Sequence, residues 1–254
     1  MEEPLALQKG LIYGPVNSRR LGRSLGINVM PTGYKVCSFN CVYCHYGWTK
    51  YLKGDLSEHL KDMPTVEDVE RELEKTLRGI EPPQYITFSG NGEATLHPDF
   101  AAMVDAVLAV RKRLRSPARV AILSNSTGVA DESVRQALHR LDVRIMKLDA
   151  GTAQVLDRIN RPARGVSLDK IVTGLGLLGD VTLQSIFVEG GVANCSDGDI
   201  DTWLAQVERI KPTFAQVYSL ENAPAMETLV GVPIPRLEAV VRRLESIGVK
   251  AAAY

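Results

Sequence analysis

The chain has 254 residues, 45% of them hydrophobic and 24% charged, with 30 basic side chains against 30 acidic ones. That composition fits a soluble globular protein long enough for one large α/β domain or two small ones, and a balanced charge gives no global footprint for nucleic acid. No apolar run approaches 18 residues and Met1-Glu-Glu-Pro4 lacks the basic and apolar stretches of a signal peptide, so no membrane partner is expected and the cytoplasm is the expected compartment.

Residues 1–24 read as an irregular N-terminal extension. It ends in Ser18-Arg19-Arg20-Leu21-Gly22-Arg23, where three arginines could grip a phosphate or carboxylate or form a solvated basic turn. Ser24 to Met30, bounded by Pro31 and Gly33, predicts a short buried strand. Next comes Cys37-Ser-Phe-Asn-Cys41-Val-Tyr43-Cys44, a C-x3-C-x2-C run holding three of the four cysteines. Three thiolates this close can meet at one soft metal centre and leave a coordination position for something else. A disulfide would strand one of the three. A zinc knuckle completed by Cys195 or His45 lacks the second half of a zinc motif. The triplet therefore favours an iron–sulfur cluster with an open site.

From Pro64 onward, strands and helices alternate. Thr65 and Asp68 form a capping-box pair for a helix striped by Val66, Val69, Leu73, Leu77 and Ile80. Strands are expected at Tyr85–Ser89, Val120–Leu123, Val143–Leu148, Val181–Val188 and Phe214–Leu220. Helices are expected at Asp99–Leu114, Glu132–Leu141, Ser167–Leu178 with Ser167 as cap, through Trp203, Val207 and Ile210, and at Leu237–Ile247. Six short apolar strands with helical crossovers predict an α/β fold with a parallel sheet, and an open barrel better than a doubly wound sheet. The expected layout is one domain over 1–254, with a barrel core over 25–220 and a C-terminal loop and helix over 221–254.

In a parallel barrel the C-terminal strand ends carry the site. Those ends read Gly90-Asn91-Gly92-Glu93, Ser124-Asn125, Lys147-Leu-Asp149, Gln184 with Glu189-Gly190-Gly191, and Glu221-Asn222. Turn chemistry explains the Asn-Gly and Gly-Gly pairs, but explains the carboxylates and the lysine less readily. His45 and His97 read as loop residues.

The cysteine run, with an aromatic just before its last cysteine, resembles the signature of the radical S-adenosylmethionine (SAM) superfamily. The resemblance implies a partial (β/α)6 TIM-type barrel in which Cys37, Cys41 and Cys44 hold a [4Fe–4S] cluster. SAM would chelate the fourth iron, and one electron would cleave it to a 5′-deoxyadenosyl radical that abstracts hydrogen from a substrate. Gly90, Gly92 and Glu93 would receive the SAM ammonium. Ser124, Asn125, Lys147, Asp149 and Gln184 would contact the same ligand, and Tyr43 would place its backbone near the adenine. For Tyr43, Ser124, Asn125, Lys147 and Asp149, structural roles such as core packing, capping or a buried ion pair stay open. Gly14-Pro15-x-x-Ser18-Arg19-Arg20-Leu-Gly, Ile159-Asn160-Arg161-Pro162 and Gln216-Val-Tyr218-Ser219 resemble the branch grouped with wyosine-tRNA synthases. Those synthases carry a second cluster on upstream cysteines; here no cysteine precedes Cys37, and the sixth strand ends Glu221-Asn222-Ala223-Pro224 where relatives show Asp-Arg-Pro. The resemblance implies an oxidoreductase or transferase acting on a small molecule or a nucleoside or tRNA base, with flavodoxin or ferredoxin as electron donor. A glycyl-radical-activating protein modifier is the alternative within this chemistry, and a metal-stabilised non-enzymatic binding module the alternative outside it.

Overall fold

The structure, a computed structural model, describes residues 3–53 and 56–254, so Met1 and Glu2 of the expected extension lie outside the described residues. One sheet organises the chain. Its strands are β1 (Ile12–Ser18), β2 (Gly22–Ile27), β3 (Tyr85–Phe88), β4 (Arg119–Ser124), β5 (Val143–Lys147), β6 (Thr182–Ile186), β7 (Phe214–Tyr218) and β8 (Ala251–Ala253), adjacent in that order. From β2 to β8 every neighbour is parallel, with pairs such as Ile27↔Phe88 and Gln216↔Gln184, while β1 joins antiparallel at the edge. The six strands β2 to β7 are those expected from sequence, and they form a partial barrel.

The crossovers supply the outer layer. Helix α1 (Val66–Arg78) begins in a capping box in which Asp68 N donates to Thr65 Oγ1 at 3.2 Å and Thr65 N to Asp68 Oδ2 at 3.1 Å. Helices α2 (Phe100–Arg113), α3 (Glu132–His139), α4 (Ala153–Ile159), α5 (Leu168–Leu178), α6 (Asp197–Ile210) and α7 (Ile234–Ser246) follow. Each turns apolar side chains inward; Phe100, Met103, Val104 and Val107 of α2 are buried. Fully burying a side chain of this kind stabilises by about 1.5–3 kcal/mol. Trp203 of α6 is buried with its indole N–H donating to Leu148 O at 2.9 Å, which satisfies the one polar group it brings inside. No helix among the described residues is long and apolar enough to cross a membrane.

Three sequence expectations are corrected. The segment before residue 24 is irregular only as far as residue 11, because Ile12–Ser18 and Gly22 onward form a hairpin. Proline cannot donate to a sheet ladder, but an edge strand tolerates Pro15, and the pairing slips between Tyr13 and Val16 to accommodate it. The C-terminal segment is more than loop and helix. Leu229–Gly231 pairs with Val188–Gly190, and Ala251–Ala253 adds a strand that alanine's weak β preference conceals. Ser167 occupies the cap position of α5, yet its side chain makes no capping bond.

Candidate active site

The cysteine loop is pinned at several points. Val36–Cys37 pairs in parallel with Tyr51–Leu52, and Thr49 closes the loop on itself through Asn40 Oδ1 at 2.7 Å and Phe39 O at 2.8 Å. The C-terminal end of α4 buttresses it, with Asn40 N donating to Asn160 O and Val42 N to Ile159 O, both at 2.9 Å. All three thiols line one cavity of about 360 Å³ at the C-terminal ends of the strands. Each sulfur receives its own nitrogen donor: Lys35 Nζ reaches Cys44 Sγ at 2.9 Å, while Asn125 Nδ2 reaches Cys37 and Asn160 Nδ2 reaches Cys41, each at 3.4 Å. Burial pushes the Cys37 thiol up to about 12 and Cys41 to about 11. Among the described residues no group of three His, Cys, Asp or Glu side chains converges as it would around a single ion.

The glycine loop lies against this wall. Gly92 bridges to Val36 at φ 156°, and a Cβ there would stand 1.9 Å from Val36 O. Gly90, at φ 126°, packs on the Asn28 side chain, whose Oδ1 a Cβ there would meet at 2.6 Å. Glu93 is buried, and its Oε1 accepts Thr95 N at 3.1 Å, Thr95 Oγ1 at 2.6 Å and Ser124 Oγ at 2.9 Å. Its Oε2 accepts Asn125 N at 2.6 Å. Burial nonetheless raises this carboxyl above its ordinary value, against those hydrogen bonds.

A polar cluster forms the opposite wall. Lys147 Nζ donates to Tyr218 Oη at 2.7 Å, pairs with Asp149 Oδ1 at 3.1 Å and sits 4.9 Å from the Tyr43 ring centre. Burial pulls the Lys147 ammonium down, but Asp149 and Tyr218 outweigh it and the net shift is upward. Asp149 also accepts Tyr43 Oη–H, Asn160 Nδ2 at 2.9 Å and Ile186 N at 3.0 Å. Gln184 Nε2 is held by Gln216 Oε1 at 2.9 Å.

Of the residues singled out from sequence, Cys37, Cys41, Cys44, Tyr43, Gly90, Gly92, Glu93, Ser124, Asn125, Lys147 and Gln184 all line the cavity, and Asp149 stands behind Lys147 and Tyr43. Cys195 lies elsewhere, its thiol 3.3 Å from Glu189 Oε1. His45 lines the cavity, with burial and then Lys35 lowering it to about 4. The carboxylate that the arginine segment grips is the chain's own: Arg19 and Arg20 reach Glu221 at 3.0 and 2.9 Å. Because Arg20 sits in the β1–β2 turn and also faces the Tyr254 ring, this contact spans the two edges of the open barrel. Sequence reasoning missed Lys35, Tyr13, Tyr218 and the contact of Asn160 with Cys41. The Asn160 and Tyr218 stretches carried a signal, through the Ile159-Asn160-Arg161-Pro162 and Gln216-Val-Tyr218-Ser219 patterns.

The family model described as the radical SAM superfamily matches residues 32–189. A UPF0026 protein of Synechocystis sp. is 35% identical over 208 residues, covering 81% of this chain and 74% of that protein. A protein of Brachyspira hyodysenteriae named GTPase Obg is 30% identical over 221 residues, covering 85% of this chain but only 31% of that one. Among solved structures, Streptococcus suis SuiB bound to S-adenosylmethionine superposes with a TM-score of 0.64 at 12% identity, over 90% of this chain and 50% of SuiB. At that identity the likeness is one of fold. The chain thus spans half or less of the length of the latter two proteins.

Proposed function

The chain belongs to the radical SAM superfamily, and on that premise we propose that it is an oxidoreductase or transferase that removes hydrogen from a small molecule or a nucleoside or tRNA base. Superfamily membership implies a [4Fe–4S] cluster and SAM as cofactors, and the residues present fit the pair. Among the described residues three cysteines and no fourth face the cavity, each sulfur has an N–H donor to offset thiolate charge, and the glycine loop offers close backbone approach. When bound, the pair supplies one-electron cleavage of a sulfonium to a carbon-centred radical.

The remaining work belongs to side chains of this chain. Cys37, Cys41 and Cys44 hold the cluster. Glu93 Oε2, which takes only Asn125 N among the described residues, has room for one donor from the cavity and suits the SAM ammonium. Ser124 and Asn125 keep that carboxylate aimed, while Lys147, Tyr218 and Gln184 offer donors to the far side of the ligand. The observation that carries the reading is the Val36–Gly92 bridge, which joins the cysteine loop to the glycine loop at the edge of one cavity.

The Arg20–Glu221 contact walls the cavity laterally. This favours a substrate group small enough to enter from the strand ends over a protein segment threaded sideways. A cytoplasmic one-electron carrier, flavodoxin or ferredoxin, would supply the electron, and residues 1–254 would act as one domain. Anaerobic reconstitution with iron and sulfide is expected to give roughly four irons per chain. Added SAM and reductant should then yield 5′-deoxyadenosine. Protein that stays colourless and leaves SAM intact rejects the proposal.

A further inference from the structure

Lys35 is buried, at 5% exposure, yet no carboxylate lies within ion-pairing distance of it among the described residues. Its Nζ has two contacts of hydrogen-bond length, Cys44 Sγ at 2.9 Å and Gly47 O at 2.8 Å. A buried ammonium without a counter-ion carries a heavy desolvation cost, so its position calls for negative charge nearby. The buried carboxylate of the glycine loop, Glu93, is held by donors of its own. What faces Lys35 is sulfur. The other two thiols take neutral amide donors from Asn125 and Asn160 at the longer distance of 3.4 Å, so the cation is confined to one corner of the triad.

We infer that Lys35 is a positioning residue that fixes Cys44 and makes the iron–sulfur centre on these cysteines easier to reduce. The inference rests on the cluster reading above. Reduction adds one negative charge to the centre, taken from an external one-electron carrier that is oxidised by one electron, and no proton need move. A fixed cation at a ligand sulfur stabilises the more negative state, whereas a neutral amide does so less.

The test compares wild type, Lys35→Gln and Lys35→Arg, each reconstituted anaerobically with iron and sulfide and without SAM. The reduced fraction is read by electron paramagnetic resonance during a potentiometric titration. Gln keeps an N–H for Gly47 O and removes the charge, while Arg keeps the charge. At a fixed potential the Gln variant is expected to be about tenfold less reduced, equivalent to about 59 mV for a one-electron couple, and the Arg variant to stay near wild type. A fully loaded Gln variant that titrates with wild type overturns the inference. Should the Gln variant not load, the Arg variant decides: a wild-type titration supports the charge assignment and a large negative shift overturns it. Wild-type protein that takes up no iron overturns the proposed function instead, so the two failures are distinct.

Discussion

Glu93 accepts the backbone N–H of Asn125 at 2.6 Å, so a buried carboxylate ties the end of β3 to the end of β4. Glu93→Gln keeps the size but turns an NH2 toward groups that are themselves donors, so at least one of the four bonds is lost. The expected cost is about 1–3 kcal/mol in a urea melt. The pH dependence has a fixed sign. Burial raises the Glu93 carboxyl above its ordinary value near 4.5, so the folded chain holds this proton more tightly than the unfolded chain. Its contribution is fullest below pH 4.5 and is lost as pH rises through the raised value. The stability difference between wild type and variant should therefore shrink from pH 4 upward. A difference that grows with pH contradicts this account.

Gly92 makes a sharper case, because a methyl group there meets backbone rather than a movable side chain. With a Cβ 1.9 Å from Val36 O at φ 156°, Gly92→Ala must push the glycine loop off the cysteine strand. The expected destabilisation is on the order of 2 kcal/mol. SAM affinity, read by calorimetry on reconstituted protein, should fall with it. Unchanged stability together with unchanged affinity would show that the bridge does not position the loop.

Cysteine replacements separate the site from the background thiol. Cys37→Ala, Cys41→Ala and Cys44→Ala should each lose most bound iron after anaerobic reconstitution, whereas Cys195→Ala should keep roughly four irons per chain. Cys195 sits beside Glu189, outside the cavity. Iron loss in that variant would place a fourth ligand where the fold does not.

The cysteine and glycine loops were legible in the sequence because their chemistry is local, with ligand spacing and backbone freedom written into eight and four consecutive residues. The six core strands were legible for a similar reason, since buried parallel strands are short apolar runs. The contact of Asn160 with Cys41 spans 119 positions, so no spacing reveals it. Lys35 is only nine residues from Cys44, but a lysine before a strand reads as surface until folding buries it. The β1 hairpin was hidden by its own Gly14-Pro15 pair, a turn signal that an irregular edge strand absorbs. Arg20 looked like a free anion grip because Glu221 lies 201 residues away.

Lys147 and Asp149 form a pair whose charges depend on each other. Asp149 is almost fully buried and Lys147 keeps 17% of its side chain exposed, with the cation also held by Tyr218 Oη at 2.7 Å. Lys147→Met keeps most of the volume and leaves the carboxylate inside without its cation. Removing one partner of a buried pair costs about 3–5 kcal/mol. Here the low end is expected, because Tyr43, Asn160 and Ile186 N still donate to Asp149. Asp149→Asn removes the charge that Lys147→Met would strand. The double variant should therefore be more stable than the sum of the two single losses predicts, by at least about 1 kcal/mol in urea denaturation of the metal-free chain. Strict additivity would mean that the two groups do not sense each other and that the polar wall of the cavity is held by its hydrogen bonds alone.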